Sequence, residues 1–375
     1  MLAPNSEMPS FTAFAAQIET SLTRPKRLSQ SQAVWIFGTG QFGRDVCQIL
    51  RRHGFEVAGF IETKPKSETA CELPVLAWEQ LSKAQLGSQI VIGIYNRGMP
   101  LDQLESLARS HGAHDILFPW DLYDQFGSDL GWRYWLSSQE LLTSNLDGIE
   151  RSFNRLSDHT SRQCLLDICR FRLGALTSYA SSRHAENQYF NPLTLENLHS
   201  TSLTYVDGGA YNGDTLLELQ ATRPVNAAYL FEPDPANFDV LVRHTAHLES
   251  RITCLPLALA DTRQSLSFNA GTGEGAAISA SGTAHITAVA LDEVLGRQHI
   301  DFLKLDVEGA EVMALQGAKN LISRCRPVMA LSLYHRPQDI WAIPDAIAEI
   351  ADGYDLYVRQ HYANSFDSVL YAVAR

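Results

Sequence analysis

The chain reads as an α/β protein with a first parallel-sheet lobe of Rossmann type, a helical connector, and a second, larger parallel sheet closed by an antiparallel pair. Three observations predict this. Short apolar runs alternate with amphipathic stretches over most of the length, the pattern of repeated βα units. Two of those runs end in an acid released into a glycine-containing turn, VDGGAYNGD at Val206–Asp214 and DFLKLDVEGAE at Asp301–Glu311. In an open parallel sheet such ends lie side by side along one edge, where ligands bind. Finally, 375 residues exceed one ordinary core, so two domains are expected.

In chain order, Phe11, Phe14, Ala15, Ile18 and Leu22 recur at helical spacing behind Ser10, a suitable N-cap, and predict a first amphipathic helix. TRPKRLSQSQ (Thr23–Gln32) is a polar linker, so residues 1–32 form a helix and linker. Residues 33–120 form the Rossmann-like lobe: the strand AVWIF from Ala33, a helix through Arg51, the strand EVAGFIE to Glu62, a turn-rich segment, the strand QIVIGIY (Gln89–Tyr95), a helix near Leu101–His111 and the strand DILFP. Residues 121–200 are mostly helical and aromatic, with Trp120, Trp132, Tyr134 and Trp135 close together, and read as a connector.

Residues 201–375 return to alternation, with strands LTYVD, AAYLFE, ITCLPLALA, DFLKLD and PVMALSLYH, then DLYVRQHY and SVLYAVA as a terminal hairpin. Five parallel-type strands and a closing pair predict a seven-stranded sheet rather than a plain dinucleotide fold. SLSFNA, AISAS (Ala277–Ser281) and HITAVAL, lying between the third and fourth strands, suggest an inserted β-meander.

Composition narrows the partners. A formal charge of −12 argues against a nucleic acid, whose backbone needs clustered Lys and Arg. The six cysteines are scattered without metal spacing, which favours reduced thiols and a cytoplasmic location. Neither a membrane-length apolar run nor a leader is seen, so a soluble protein is expected, with its oligomeric state open.

The second lobe carries the clearest chemistry. Asp207 ends its first strand, and Gly209 and Gly213 follow with the spacing D-x-G-x-x-x-G. A dinucleotide needs close backbone approach to a pyrophosphate. S-adenosyl-L-methionine has no phosphate but carries an ammonium, a carboxylate and a sulfonium. Asp207 suits the ammonium, and the N–H groups of the turn Gly209, Ala210, Tyr211, Asn212 and Gly213 suit the carboxylate. Asp214 and Thr215 begin the next helix and read as ligand contacts or as caps. Glu232, ending the second strand, suits a ribose diol. Asp261 meets an adenine amino group or simply occupies a surface turn. Asp306 and Glu308 leave the fourth strand where donor and acceptor would meet, while Glu311 opens the next helix and reads as a cap. A hydroxyl acceptor must lose a proton, which a carboxylate or imidazole takes. His335 in SLYHRP is the imidazole candidate, with a structural role as the alternative. The acids show no open octahedral set, so no metal is assigned.

VDGGAYNGDT, FEPDPANF (Phe231–Phe238), LDEVL (Leu291–Leu295), DFLKLDVEGAEVMALQGA (Asp301–Ala318) and YHRPQDIWAIP (Tyr334–Pro344) together resemble the FkbM family of S-adenosylmethionine-dependent methyltransferases. The resemblance implies a class I methyltransferase fold and O-methylation of a sugar hydroxyl in a polysaccharide, glycolipid or glycosylated acceptor. Asp207, Gly209, Gly213 and Glu232 would then contact the cofactor, and Asp306 and Glu308 would line the reaction centre. DGGAYNG stands where many members have DVGANIG, so Tyr211 and Asn212 are expected to meet the methionine end differently.

In the first lobe, GTGQFG follows a strand, precedes a helix and is answered by Glu62, so Gly38, Gly40, Gly43 and Glu62 form a candidate nucleotide site. The segment Trp35–Glu62 is similar to the nucleotide-sugar domain of bacterial sugar acyltransferases. A dinucleotide, a nucleotide sugar or an empty scaffold all remain open. The competing function is a nucleotide-binding protein with a silent second lobe, but joint retention of Asp207, Glu232 and Asp306 favours an enzyme. A thermal-shift comparison with S-adenosylmethionine, S-adenosylhomocysteine, NAD and UDP-sugars separates the two: a true ligand at a hundredfold excess over Kd adds about 2.7 kcal/mol, and stabilisation by NAD alone would reverse the ranking.

Overall fold

The computed structural model describes residues 9–21, 26–178, 183–268 and 284–375. It divides into two compact units, neither continuous in sequence: residues 1–146, 163–183 and 362–366 in the first, and 147–162, 184–361 and 367–375 in the second. The helical stretch expected to connect the lobes is shared between them, and the division falls inside the helix His159–Arg172. The first amphipathic helix spans Phe11–Ser21, with the Ser10 hydroxyl accepting from the Ala13 N–H at 3.3 Å.

The first unit is built on β1 (Val34–Phe37), β2 (Val57–Glu62), β3 (Thr69–Ala70), β4 (Leu73–Ala77), β5 (Gln89–Ile92) and β6 (Ile116–Leu117). They form a six-stranded sheet in the order β3-β4-β2-β1-β5-β6. All pairings are parallel except that of the short β3 with β4. β1 and β5 are fully buried apolar runs, as strands covered on both faces must be. β3 and β4 lie in the segment read as turns. Pro74 there lacks an N–H and argues against a central strand, but β4 sits one place from the sheet edge and tolerates it.

The chain turns in opposite directions from β1 to β2 and from β4 to β5, so the C-terminal end of β1 is a switch point, and GTGQFG lies there. Close packing accounts for two of its glycines. Gly38 has φ +113°, and a Cβ there would meet Ile94 Cγ1 at 2.4 Å. A Cβ on Gly43 would meet the Gly38 carbonyl oxygen at 2.2 Å.

The second unit holds β7 (Leu203–Gly208), β8 (Val225–Phe231), β9 (Arg251–Leu255), β10 (Ala258–Leu259), β11 (Gln264–Phe268), β12 (Ala284–Val289), β13 (Phe302–Leu305), β14 (Val328–Ser332), β15 (Tyr354–Gln360) and β16 (Ser368–Ala374). Seven of them form the main sheet, in the order β15-β16-β14-β13-β7-β8-β9. β16 is antiparallel to both neighbours and lies between β14 and β15, so the terminal hairpin closes the sheet by inserting its last strand. The expected third strand breaks at Pro256: its first part becomes β9, and its second becomes β10 in a separate sheet, β10-β12-β11. That small sheet is the inserted β element, although its expected strand AISAS lies outside the described residues. Beneath the main sheet, Tyr205 stacks on Phe302 with ring centres 5.6 Å apart, and Phe190 meets Phe302 edge-on. Truncating so large a buried ring to alanine costs about 3–5 kcal/mol, so this packing fixes how β7 and β13 sit side by side.

If packing rather than a ligand explains the first lobe's glycines, substitution there has opposite effects at two positions. Gly43→Ala should lose about 1–3 kcal/mol or more, because backbone atoms cannot yield. Gly40 caps the helix Gln41–Arg52 in extended geometry with open space around it. Gly40→Ser should therefore be neutral or gain a few tenths of a kcal/mol. Chemical denaturation of both variants checks this, and equal losses would contradict it.

Candidate active site

In the second unit the strand order reverses between β7 and β13, and their C-terminal ends carry the two acid-tipped turns. Alternation along β7 puts Tyr205 and Asp207 on one face. Asp207 is fully buried: its Oδ2 accepts from the Tyr205 hydroxyl at 2.9 Å and its Oδ1 from Lys304 Nζ at 2.9 Å. Lys304, its register partner on β13, also donates to the Gly209 carbonyl at 2.8 Å. Burial works against the charge on Lys304, but Asp207 and Asp306 outweigh it and hold the ammonium protonated. A ligand ammonium could reach Asp207 only by displacing these partners.

Most N–H groups of the turn are likewise bonded within the protein. The N–H groups of Gly209 and Ala210 both donate to the Phe231 carbonyl at 3.0 Å, that of Gly213 donates to Ala210, and that of Asp214 to Asn212 Oδ1. Gly209 has φ +79°, and a Cβ there would lie 1.9 Å from the Asp306 carbonyl oxygen, so only glycine lets the two turns touch. Tyr211 also has a positive φ, +47°. Its N–H donates to Glu232 Oε2 at 2.9 Å, while the Asp234 N–H donates to Oε1 at 2.8 Å. Burial pushes the Glu232 carboxyl up to about 7, against the pull of those N–H groups. The Asn237 side chain also donates to this carboxylate, leaving room for one further donor, such as a ribose hydroxyl, among its roughly four lone-pair sites. Asp214 is exposed in the first turn of the helix Asp214–Thr222 and accepts from the Thr215 N–H at 2.8 Å; Gly213 is the N-cap and no side chain caps the helix. Asp261 is exposed in a turn and accepts from Gln264 Nε2 at 3.1 Å.

Asp306 keeps about 24% of its side chain exposed at the crevice. Ser332 Oγ donates to its Oδ1 at 2.6 Å and the Tyr189 hydroxyl to its Oδ2 at 3.0 Å, with the Tyr334 hydroxyl 3.4 Å from Oδ1. Burial raises its carboxyl, but Lys304, His335 and these hydroxyls bring it below the ordinary carboxylate range. Glu308, at φ +53°, keeps about 20% of its side chain exposed.

His335 is fully buried, with Nδ1 2.7 Å from Glu311 Oε1 and Nε2 3.4 Å from Asp306 and 3.7 Å from Glu308. Burial alone would lower it, yet Glu311, Glu308 and Asp306 push it up to about 10. At neutral pH it is therefore an imidazolium, a donor on both nitrogens, and not the proton acceptor expected from the sequence. Glu311 is buried beneath it, and its Oε1 also accepts from the Val307 N–H at 2.9 Å.

Sequence reading assigned no role to Lys304, Tyr189 or Ser332. Lys304 did carry a signal: a charged residue inside the apolar run FLKL must be paired if that strand is buried. Tyr189 carried none, since it arrives from a segment ahead of the whole sheet. In the first unit, Gly38, Gly40 and Glu62 gather at the β1 edge, where Glu62 Oε1 accepts from both the N–H and the hydroxyl of Thr39, at 2.7 and 2.6 Å. These contacts account for Glu62 without a ligand. Among the described residues no group of three or more His, Cys, Asp or Glu side chains is arranged to hold a metal ion. The donor set of the second unit consists of carboxylates and hydroxyls at three adjoining strand ends. It fits a cationic sulfonium donor with a ribose better than a pyrophosphate.

The charge on His335 is testable through stability. Its folded-state pKa lies above the unfolded one, so its contribution is fully present below about pH 6.5 and is lost as pH rises through about 10. Urea titrations should show a wild-type advantage over His335→Gln that shrinks steadily between pH 6 and 10; a constant gap would mean that the ring is neutral.

The methyltransferase FkbM domain family matches residues 207–363. Among solved structures, the methyltransferase FkbM of Methylobacillus flagellatus KT aligns with 96% of this chain and 98% of its own at 21% identity, with a TM-score of 0.77. An rRNA methylase of Streptococcus thermophilus aligns with 48% of this chain and 91% of its own at 13% identity and a TM-score of 0.32. The precorrin-6y C5,15-methyltransferase of Geobacter metallireducens GS-15 aligns with 52% and 96% at 11% identity and a TM-score of 0.32. Comparison with curated protein sequences finds no match. The chain thus shares its fold with the M. flagellatus protein, and residues 207–363 match the methyltransferase FkbM domain family.

Proposed function

We propose that the second unit transfers the methyl group of S-adenosylmethionine to a hydroxyl of a saccharide or saccharide-linked acceptor. One observation carries the reading. Asp306, a partly exposed carboxylate held ionised, stands at the switch point where the Gly209 turn touches its own backbone, with Glu232 at the end of the neighbouring strand. The saccharide class rests on the sequence resemblance, and the hydroxyl-rich surroundings of Asp306 suit a polyol.

The donor supplies a methyl group on a sulfonium, whose sulfur leaves as a neutral thioether. This chain's residues bind and align. Glu232 accepts a ribose hydroxyl on the lone pair that Tyr211, Asp234 and Asn237 leave. Asp306 accepts a hydrogen bond from the acceptor hydroxyl and points its oxygen along the line of displacement; alignment of this kind supplies most of the rate. As the new C–O bond forms and the S–C bond breaks, the hydroxyl proton passes to Asp306 or Glu308 and then to solvent. Tyr189 and Ser332 keep the Asp306 carboxylate in one orientation. His335, already protonated, holds Glu311, Asp306 and Glu308 together as a fixed positive charge. No helix among the described residues is long and apolar enough to cross a membrane, so a lipid-linked acceptor would have to present its sugar to this crevice from outside the protein.

Calorimetry with S-adenosylmethionine and S-adenosylhomocysteine tests the donor, and a well-folded sample giving no heat with either would end the proposal. Glu232→Gln should weaken binding about tenfold or more, the loss of a charged hydrogen bond. Wild-type affinity should also rise with pH through about 7, as Glu232 ionises, and the variant should lose that slope. Asp306→Ala should depress labelled-methyl transfer to a panel of methyl glycosides by more than it weakens donor binding. Unchanged transfer at saturating donor would place the reaction centre elsewhere.

A further inference from the structure

The pairing of β7 with β13 sets Lys304 opposite Asp207, and both side chains are buried. A lysine inside a fully buried strand pays a desolvation cost that a leucine would not, so the sheet alone does not require it. Its ammonium has three protons to donate. Two reach Asp207 Oδ1 and the Gly209 carbonyl, at 2.9 and 2.8 Å. The group also lies 5.3 Å from the centre of the Tyr189 ring, whose hydroxyl donates to Asp306 Oδ2. Gly209 is the residue pressed against the Asp306 carbonyl. A single cation therefore sits under the meeting point of the two turns.

We propose that Lys304 is a positioning residue that couples the donor-binding turn to the reaction carboxylate: it clamps Asp207 and the Gly209 carbonyl, which fixes the turn, and it is the standing counter-charge of Asp306. The inference rests on the methyl-transfer reading of this site. It makes Asp207 part of the clamp, so the donor's positive charge is met by Asp306 at the crevice.

The titratable and charged groups facing Asp306 are Lys304 on its own strand, Glu308 in its own turn, Tyr334 and His335 beyond β14, and Tyr189 from the segment before β7. Asp207 lies behind Lys304, and Asp367 acts on Tyr189 and Tyr334. Of the groups that hold Asp306 ionised against its burial, Lys304 contributes most.

Lys304→Met keeps length and removes charge. In calorimetry its Kd for S-adenosylmethionine should rise about tenfold or more, as expected for a lost charged contact. Its preference for S-adenosylmethionine over the uncharged-sulfur product S-adenosylhomocysteine should collapse as pH falls from 8 to 5, because Asp306 then takes up a proton, whereas the wild-type preference stays level. The double variant Asp207→Asn/Lys304→Met removes the stranded charge of Asp207 but not the loss of the Asp306 counter-charge, so its Tm should recover toward wild type while weak binding and the pH-dependent preference persist. It also carries the test if the single variant does not fold. A folded single or double variant with wild-type affinity and a level preference would make Lys304 merely structural and overturn the inference. A wild-type protein that binds neither compound would instead fail at the methyl-transfer reading, and the inference would fall with it.

Discussion

The buried ion pair between Lys304 and Asp207 joins the two strands at which the sheet changes direction. It can exist only because the surroundings complete it: Tyr205 satisfies the other carboxylate oxygen, and the Gly209 carbonyl takes a second proton of the ammonium. Removing one member of such a pair typically costs about 3–5 kcal/mol, because the other is stranded without water. The glycine turn, the approach of Gly209 to the Asp306 backbone and the orientation of Asp306 all follow from that fixed point. The pair makes the crevice stiff before any ligand arrives, which is what a displacement reaction that depends on alignment needs.

A second charged unit lies on the other side of Asp306. His335 and Glu311 are both fully buried and bonded to each other, and Glu311 also holds the Val307 N–H at the start of the turn. Asp306 thus stands between two interior cations, neither exposed to solvent. These two cations, with the hydroxyls of Ser332 and Tyr189, hold its carboxyl below the ordinary carboxylate range despite its burial.

Much of this was legible in the sequence. Fully buried parallel strands announce themselves as apolar runs, and the acid-then-glycine endings of β7 and β13 marked the crevice because a switch point needs just such turns. Glu232 followed from its place at the end of the next strand. Legibility failed where tertiary contacts decide. Pro74 disguised β4, and Pro256 divided one apolar run between two sheets. One chain read linearly does not show that Lys304 stands opposite Asp207 and takes one of its carboxylate oxygens. His335 looked like a base because the three acids around it come from another turn. Tyr189 gave no sign at all. In the first lobe, Gly38 and Gly43 are crowded by Ile94 and by the Gly38 carbonyl, a packing demand that the motif alone does not show.

The interleaving of the two units has its own consequence. The chain passes between them at several points, including a five-residue stretch, 362–366, carried between the last two strands of the main sheet. No single cut releases either unit whole, and a fragment beginning at the first strand of the main sheet would lack the helical residues 147–162 that belong with it. Inheritance is constrained likewise: a gene fusion that swapped one lobe by a simple exchange of ends would truncate its companion.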